Sequence, residues 1–364
     1  LHVNRADGVP VAWIHGRYID VHSCIMTGMW TKRSLVLMGV AAALLGANST
    51  LNYPTGNQGL LLIDKLGAHI RFFDPATFKE LSNFKVPVNP HDFVLSADHK
   101  TAYVPIYGDG VYGNNPHPAH EIQIVDLVAR KPAGTIDVSP YLAPHGIQID
   151  SAGMLYVACD LSRKLLVIDP KTRSIKDAID TEGTGHWIAM LPDASKIYVA
   201  NKDDRPFISV IDLKTRKMVG KIPAPKGTQG IAASPDGKRV VAMDGGEPVL
   251  IVIDPATDTV ADRIMLKGNK KGAYKVQYSP DGKKLLTMSL SGPYVNIFDA
   301  ANLRGEQKVL TVGKDPMGFA FSPDGKTALV ANHGDGSVSV IDLKGARVTA
   351  NFHAGTGIET LTYY

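Results

Sequence analysis

An aspartate at the end of a short apolar run recurs at a nearly constant spacing along most of this chain. The runs read "RFFD", "IVDL", "VIDP", "VIDL", "VIDP", "IFDA" and "VIDL", and their aspartates are Asp74, Asp126, Asp169, Asp212, Asp254, Asp299 and Asp342. The successive intervals are 52, 43, 43, 42, 45 and 43 residues. A fixed period of this length indicates an array of similar structural units.

A second marker recurs with the same period as the aspartates and predicts a turn in six of the seven units. It reads "SPDG" at residues 234, 279 and 322, and "SADH", "DSAG" and "LPDA" at 96, 150 and 191. Proline presets φ for such a turn, and glycine accepts the left-handed conformation. Strand a precedes the turn, strand b follows it, strand c ends at the aspartate, and strand d completes the unit. Four strands per repeat of this length predict one blade of a β-propeller.

Seven copies therefore predict an all-β fold, a seven-bladed β-propeller of four-stranded blades over residues 57–364. The first copy, residues 57–88, has no strand a. The last segment, "HAGTGIETLTYY", reads as a strand a with nothing after it. We expect this C-terminal strand to join the first blade, because closing the ring removes exposed sheet edges.

The first 47 residues differ in composition from the repeats. Residues 29–47 contain Lys32-Arg33, then an apolar stretch and small residues, which is the order of a secretory signal. We expect a periplasmic or secreted protein with no membrane segment in its mature form; a retained anchor is the alternative. Residues 1–28 precede the signal, so translation is expected to start at Met26 or Met29. Residues 48–56 read as a linker.

The cysteines agree with a mature chain that has no internal disulfide. Cys24 lies in the predicted leader, which leaves Cys159 alone among residues 48–364. A single cysteine cannot form an intramolecular bond.

Several repeats carry a family resemblance. "SPDGKTALVANHGDGSVSVIDL", residues 322–343, resembles the repeat of the YVTN (YncE-like) β-propeller family, and residues 191–213 and 234–254 resemble it nearly as well. The repeat style is also similar to the propellers of nitrous-oxide reductase and haem-d1 nitrite reductase. The resemblance implies the propeller fold and is common among surface-layer and periplasmic proteins. It does not imply one chemistry.

Three histidines share one position relative to the turn marker. Five residues before each marker lie His91, His145, His186, Gln229, Tyr274 and Met317. In the closing blade, matching "GTGI" to "GTQGI" places Thr356 there. This position opens the innermost strand, so we expect these side chains near one mouth of the central channel, where the b–c loops also emerge.

The b–c loop of the second blade is predicted to be long, over residues 107–121, and to hang over the same mouth. It carries His117 and His120 as further candidate ligands, and Tyr107 and Tyr112 as candidate ligand contacts. Long loops in a compact fold are often functional.

Neutral imidazoles that converge from neighbouring strands suit copper, iron or zinc. We therefore predict a metal site formed by His91, His145 and His186 with His117 or His120. Tyr107, Tyr112, Gln229 and Tyr274 are predicted to contact a bound small molecule. Two alternatives stay open: a metal-free pocket that uses histidine as acid, base or hydrogen-bond donor, and histidines that only bond neighbouring carbonyls. "APHG" (143–146) resembles the His-Gly step of nitrous-oxide reductase, whose propeller histidines hold copper.

Composition narrows the classes of function. The net charge is +4 without a basic cluster, so nucleic acid is not an expected partner. The sequence has no CxxCH motif, phosphate loop or serine nucleophile elbow, so haem c and nucleotide cofactors are not expected. The remaining hypotheses are a propeller that binds a small ligand or metal, a metal-dependent oxidoreductase, hydrolase or lyase, and a protein-interaction scaffold.

The leader generates a first prediction. Export is expected to remove the segment that ends near Ala47, because Leu45-Gly46-Ala47 presents the small residues that signal peptidase requires. The intact mass of the protein recovered from the periplasm measures this directly. A mass that still includes residues 29–47 would identify the segment as an anchor.

Overall fold

The computed structural model describes residues 59–111, 114–202, 207–289 and 292–364, and the backbone of three short strands near the N-terminus. The chain divides into two compact units, Leu1–Ser49 and Thr50–Tyr364. In the first unit, β1 (Arg5–Ala6), β2 (Val9–Ile14) and β3 (Arg17–Asp20) form an antiparallel sheet. The predicted signal segment and the predicted linker lie outside the described residues.

The second unit contains seven four-stranded antiparallel sheets, which confirms the seven-bladed propeller. The seven strands a are β7 (Val94–Leu95), β11 (Pro144–Ile149), β15 (Gly185–Met190), β19 (Thr228–Ala233), β23 (Ala273–Tyr278), β27 (Pro316–Phe321) and β31 (Ile358–Tyr363). The strands b are β4 (Leu60–Asp64), β8 (Thr101–Val111), β12 (Leu155–Cys159), β16 (Lys196–Asn201), β20 (Val240–Asp244), β24 (Lys284–Ser289) and β28 (Thr327–Asn332).

The outer half of each blade is formed by strands c and d. The strands c are β5 (His69–Phe73), β9 (Asn114–Asp126), β13 (Lys164–Asp169), β17 (Phe207–Asp212), β21 (Val249–Asp254), β25 (Tyr294–Asp299) and β29 (Ser337–Asp342). The strands d are β6 (Glu80–Lys85), β10 (Lys131–Asp137), β14 (Ser174–Asp180), β18 (Lys217–Pro223), β22 (Thr259–Met265), β26 (Lys308–Thr311) and β30 (Arg347–His353). A 3₁₀ helix, Asp160–Ser162, follows β12. Among the described residues no helix is long and apolar enough to cross a membrane.

The C-terminal strand closes the ring as predicted. β31 pairs antiparallel with β4, with Leu361 opposite Leu62 and Tyr363 opposite Leu60. The backbone of Tyr364 and Gly59 exchanges two further hydrogen bonds, of 3.1 and 3.3 Å. The first blade thus takes its strand a from the other end of the chain, and no blade among the described residues lacks an inner strand.

The two repeated markers play the roles that their chemistry predicts. In the "SPDG" turns the serine hydroxyl donates to the aspartate two residues later, at 2.6 Å in Ser234–Asp236 and 2.7 Å in Ser322–Asp324. Gly237 has φ 68°, which favours glycine. The aspartate after strand c accepts backbone N–H groups of the next turn, as Asp212 does from Thr215 at 2.7 Å.

The core lies between neighbouring blades. All of β4, β12, β20 and the middle of β13 are buried, whereas outer strands such as β22 alternate exposed and covered residues. Strands covered on both faces read as continuous apolar runs, and strands with one solvated face alternate. This explains why the apolar runs before the repeated aspartates were the clearest signal in the sequence.

The prediction of a long loop over residues 107–121 was wrong, because most of these residues belong to two paired strands. β8 and β9 continue as a paired two-stranded ribbon out to Val111 and Asn114, with register shifts near Gly108 and Gly110. Gly108 has φ 106°, and a Cβ there would lie 2.4 Å from the carbonyl oxygen of His117. The insertion therefore extends two strands of the blade. Tyr112 lies outside the described residues.

Ring closure generates the second prediction. Leu361 is 1% exposed within β31, so Leu361→Ala is expected to lower the free energy of unfolding by about 3 kcal/mol through the cavity it leaves. Deletion of residues 354–364 is expected to prevent stable folding. Thr362→Ala, on the partly exposed side of the same strand, is the control. Urea unfolding measures both, and equal stabilities of the two point variants would contradict the role given to this strand.

Candidate functional site

The seven strands a place seven equivalent side chains in a ring. Six of these strands begin at a residue paired with the end of strand b, as in Pro144 with Cys159 and Ile358 with Asp64. In the second blade the isolated bridge between Pro90 and Ile106 takes this place, ahead of β7. The residue after each of these pairs is the ring position, and its members are His91, His145, His186, Gln229, Tyr274, Met317 and Glu359. The turn-marker rule therefore located six members of this ring correctly.

The seventh member is Glu359, so the expectation of Thr356 was wrong. The closing segment has no turn marker, because the chain ends where the marker would stand, and matching its glycines shifted the register. The apolar residue two positions after the ring member gives the correct alignment. It is buried in six blades, at Ile147, Ile188, Ile231, Val276, Phe319 and Leu361, and partly buried at Phe93. That pattern was present in the sequence.

Three imidazoles stack in a row across neighbouring blades. The ring centroids of His91 and His145 are 4.0 Å apart, and those of His145 and His186 are 3.5 Å apart. All three side chains are buried, with His145 0% exposed. The structure thus brings together the three histidines that the sequence placed in register, with neighbouring rings tilted by 47° and 31° to one another.

The Nδ1 atom of each imidazole faces an oxygen, which defines the tautomers. His91 Nδ1 donates to Glu359 Oε1 at 3.1 Å, and His186 Nδ1 donates to Asp160 Oδ2 at 3.4 Å. His145 Nδ1 donates to the backbone oxygen of His186 at 3.1 Å. With the proton on Nδ1, the Nε2 atom of each neutral ring carries the lone pair.

Lys65 completes the row at its first end, and sequence reasoning missed it. Its Nζ donates to His91 Nε2 at 2.8 Å and lies 3.0 Å from Glu359 Oε2. Lys65 directly follows strand b, a position whose N–H bonds the residue two before the ring member. The same position in other blades holds Tyr107, Asp160, Lys202, Gly245 and His333. These residues form a rim above the ring.

Tyr107 and Asp160 link the rim to the other end of the row. The buried Tyr107 hydroxyl donates to Asp160 Oδ2 at 2.9 Å, the same oxygen that His186 approaches. Tyr107 also packs edge-on against His145, with centroids 5.6 Å apart. Its predicted place beside the histidines is therefore what the structure has, although its hydroxyl already bonds a carboxylate.

His117 and His120 lie away from the row among the described contacts. Their Nδ1 atoms pair with Asp109 at 3.2 Å and Asp137 at 3.0 Å, and the side chains are 80% and 54% exposed. Neither contacts a stacked histidine. Because residues 107–121 form a ribbon rather than a loop over the mouth, these two imidazoles stay on its surface.

The residues after the ring members form a floor beneath it. Trp187 is 4% exposed, with its indole 4.6 Å from the His186 ring and 5.3 Å from the His145 ring. Lys275 Nζ lies over the indole, 4.5 Å from its centre, and Tyr274 packs edge-on at 4.9 Å.

Three blades have glycine at this level: Gly146, Gly230 and Gly318. A Cβ on Gly146 would lie 2.5 Å from the carbonyl oxygen of His186, so only glycine lets these inner strands approach so closely. The His-Gly step at His145 is therefore a packing requirement of neighbouring strands.

Burial sets the charge state of the row. Burial lowers the pKa of His91 to about 4, and it lowers the pKa of His145 and His186 well below the usual value. Lys65 and Lys202 lower all three further. Burial opposes ionisation of Glu359, but His91 and Lys65 hold its pKa well below the usual range. At neutral pH the row is three neutral imidazoles beside a carboxylate and an ammonium group.

The expected metal ion is not supported by this arrangement. Among residues 59–364, apart from the short gaps, no group of three or more His, Cys, Asp or Glu side chains is placed to hold a metal ion. The Nδ1 atoms of all three rings already bond oxygens, and His91 Nε2 bonds Lys65. The copper, iron or zinc site stays a prediction.

The fold and the ring define a seven-bladed β-propeller with a buried polar cluster at the start of its inner strands. Residues 166–281 match the family described as YNCE-like beta-propeller, which confirms the sequence resemblance over that part of the chain.

One solved structure with this fold is "Kuenenia stuttgartiensis Hydrazine Synthase". It is 20% identical, with a TM-score of 0.66, and the match covers 85% of this chain and 93% of that chain. At this level of identity the likeness shows the fold alone. No curated protein matches the sequence.

The buried imidazoles generate the third prediction. Their folded pKa values lie below the unfolded value of 6.5, so below pH 6.5 the unfolded state binds more protons than the folded state. Stability is therefore full above pH 6.5 and falls as the pH drops towards 4, by about 1.4 kcal/mol per pH unit for each histidine.

Urea unfolding between pH 7.5 and 4.5 measures this slope. His186→Gln is expected to reduce it by about one proton, and His120→Gln, at an exposed site, is expected to leave it unchanged. A wild-type stability that is constant from pH 7 to 5 would contradict the assigned protonation states.

Proposed function

We propose that this propeller binds a small molecule at the mouth of its channel, and that it does so outside the cytoplasm after export. One observation carries the proposal. His145 Nε2 is buried and has no hydrogen-bond partner among the described residues, while its Nδ1 proton is held by a backbone oxygen. The ring is therefore fixed with an unused acceptor facing away from that bond.

A buried acceptor without a hydrogen-bond donor destabilises the folded protein, and a ligand that donates to it removes this penalty. Leaving such a group without a partner costs about 1–3 kcal/mol. A molecule that donates an O–H or N–H to His145 Nε2 restores the bond, and the same atom gives it orientation. Neighbouring imidazoles, Tyr107 and Trp187 supply the aromatic walls that small-molecule sites commonly have.

A transition metal is the second candidate. The observation in its favour is that each stacked imidazole has Nδ1 bound to an oxygen, as metal-ligating histidines have. A metal bound at His91 Nε2 would require Lys65 to leave that atom. A metal-dependent enzyme depends on this ion, and among the described residues no contact favours the scaffold hypothesis.

The fourth prediction tests the binding site. His145→Phe keeps a ring in the stack and removes the acceptor, so it is expected to weaken binding of a hydroxyl- or amide-bearing ligand about tenfold. Thermal-shift screening of small alcohols, amides and hydroxy acids, followed by calorimetry, measures the change. His120→Phe is the matched control at an exposed histidine and is expected to bind as the wild type does.

The same preparation distinguishes the candidates. Elemental analysis of protein from the periplasm, with and without added copper, iron or zinc, reports a resident metal. A stoichiometric metal lost in the His91→Ala, His145→Ala and His186→Ala variants would favour the second candidate. Ligands that bind the His145→Phe variant with unchanged affinity would overturn the first.

A further inference from the structure

The floor of the ring contains a lysine that forms no hydrogen bond and no ion pair within 4.0 Å among the described residues. Lys275 is half-buried, and its Nζ lies over the Trp187 indole, 4.5 Å from the ring centre. Lys65 at the rim differs, because it contacts both His91 and Glu359.

Asp92, directly after His91, is a carboxyl group near Lys275. It is half-buried, and burial raises its pKa while Lys275 opposes that shift. Among the described residues Asp92 and Lys275 form no ion pair within 4.0 Å. Lys275 therefore lies at the floor without a direct ion-pair partner there.

Two more polar atoms of this region lack partners. Trp187 Nε1, a donor, and Gln229 Oε1, an acceptor, are both buried without a hydrogen bond among the described residues. Together with His145 Nε2 they belong to blades 3, 4 and 5, which are consecutive in the ring. The Trp187 indole is a common neighbour of these groups, since its centre is 5.3 Å from the centre of the His145 ring and 4.5 Å from Lys275 Nζ.

The groups without partners differ in chemistry between the floor, which holds Lys275 and Trp187, and the wall, which holds His145 and Gln229. The floor offers a positive charge and an N–H donor, which suit an anion. The wall offers the lone pairs of His145 Nε2 and Gln229 Oε1, which suit an O–H or N–H donor and repel an anion. A ligand that satisfies the whole set has a negative and a hydrogen-donating end.

We infer that the site takes a small carboxylate with a neighbouring hydroxyl or amino group, bound through Lys275 and Trp187 Nε1 at the carboxylate and through His145 Nε2 at the donor. The inference rests on the proposed binding function and names its ligand class. Carboxylate recognition by an ammonium group and an indole N–H is charge-assisted hydrogen bonding, which is stronger than a neutral bond.

Three probes separate the two ends of the ligand. They are 2-hydroxypropanoate, propanoate, which lacks the hydroxyl, and propane-1,2-diol, which lacks the carboxylate. Affinities are measured by ligand-observed NMR titration on the wild-type protein and on Lys275→Met, which keeps the methylene stem over the indole. Lys221→Met is the control, since Lys221 also lies over an aromatic ring, Phe207 at 4.9 Å, on the surface.

The expected result is that 2-hydroxypropanoate binds at least tenfold tighter than either partial probe. Lys275→Met is expected to remove that advantage and to leave diol binding unchanged, while His145→Phe weakens both hydroxyl probes. Trp187→Phe, which keeps the aromatic ring and removes the N–H, is expected to weaken the carboxylate probes several-fold. Circular dichroism and melting temperature confirm that each variant is folded.

Two results overturn the inference in different ways. If the diol binds through His145 as tightly as the hydroxy acid, or if Lys275→Met binds all probes as Lys221→Met does, the ligand is not a carboxylate and the binding function stands. If no probe binds the wild-type protein, the inference and the hydrogen-bonding ligand site fail together.

Discussion

The pairing of the last strand with the first one is the constraint on which the rest of this structure depends. β31 and β4 come from opposite ends of the propeller sequence, and their pairing joins seven sheets into a closed ring. Asp64, which is 0% exposed at the end of β4, stabilises this seam between β31 and β4. Its carboxylate accepts N–H groups of Thr356 and Gly357, at 3.1 and 2.9 Å, and the Arg71 guanidinium at 2.9 Å.

The Asp64 contacts also explain how an aspartate tolerates complete burial. A carboxylate that accepts several N–H bonds is stabilised in its charged form, and here those bonds and Arg71 outweigh burial and lower the pKa of Asp64. The same seam places Lys65 beside Glu359. The contact between Lys65 and Glu359 in the candidate site is therefore a product of ring closure.

The stacked imidazoles follow from the spacing of the inner strands. Glycines at alternating blades bring the backbones of strands a close together, and side chains at one register then touch across blades. His145 depends on this geometry twice, because its Nδ1 bonds the backbone of the next blade and its ring lies against His186. Because the blade repeats, the three histidines occupy equivalent positions on neighbouring strands, and they contact one another without a loop to position them.

Much of this architecture can be predicted from the sequence, because a repeat shows the residue types at each position of the blade several times. The blade count, the closing strand and the register of His91, His145 and His186 all follow from period and turn chemistry. Thr356 was assigned to the ring in place of Glu359 because the closing segment lacks the marker that sets the register in the other blades. His117 and His120 were misplaced because spacing reveals the length of an insertion but not whether it pairs as a ribbon.

Lys65 and Lys275 show a different limit of sequence reasoning. A lysine in a surface turn and a lysine beside a buried imidazole look the same in the sequence, and only packing separates them. The tautomers of the three histidines were equally hidden, because each depends on an oxygen from another blade. The sequence predicted which histidines lie together, but it did not predict their tautomers or their hydrogen-bond partners.

The position of Glu359 on the closing strand β31 has a consequence for folding. The other six ring members lie in blades whose four strands follow one another in the sequence, whereas Glu359 reaches the ring when β31 pairs with β4. A chain whose ring is still open therefore holds the imidazoles without the carboxylate that orients His91. A ligand that depends on the complete ring is then a reporter of closure, because it distinguishes a closed propeller from one in which the other six blades are already formed.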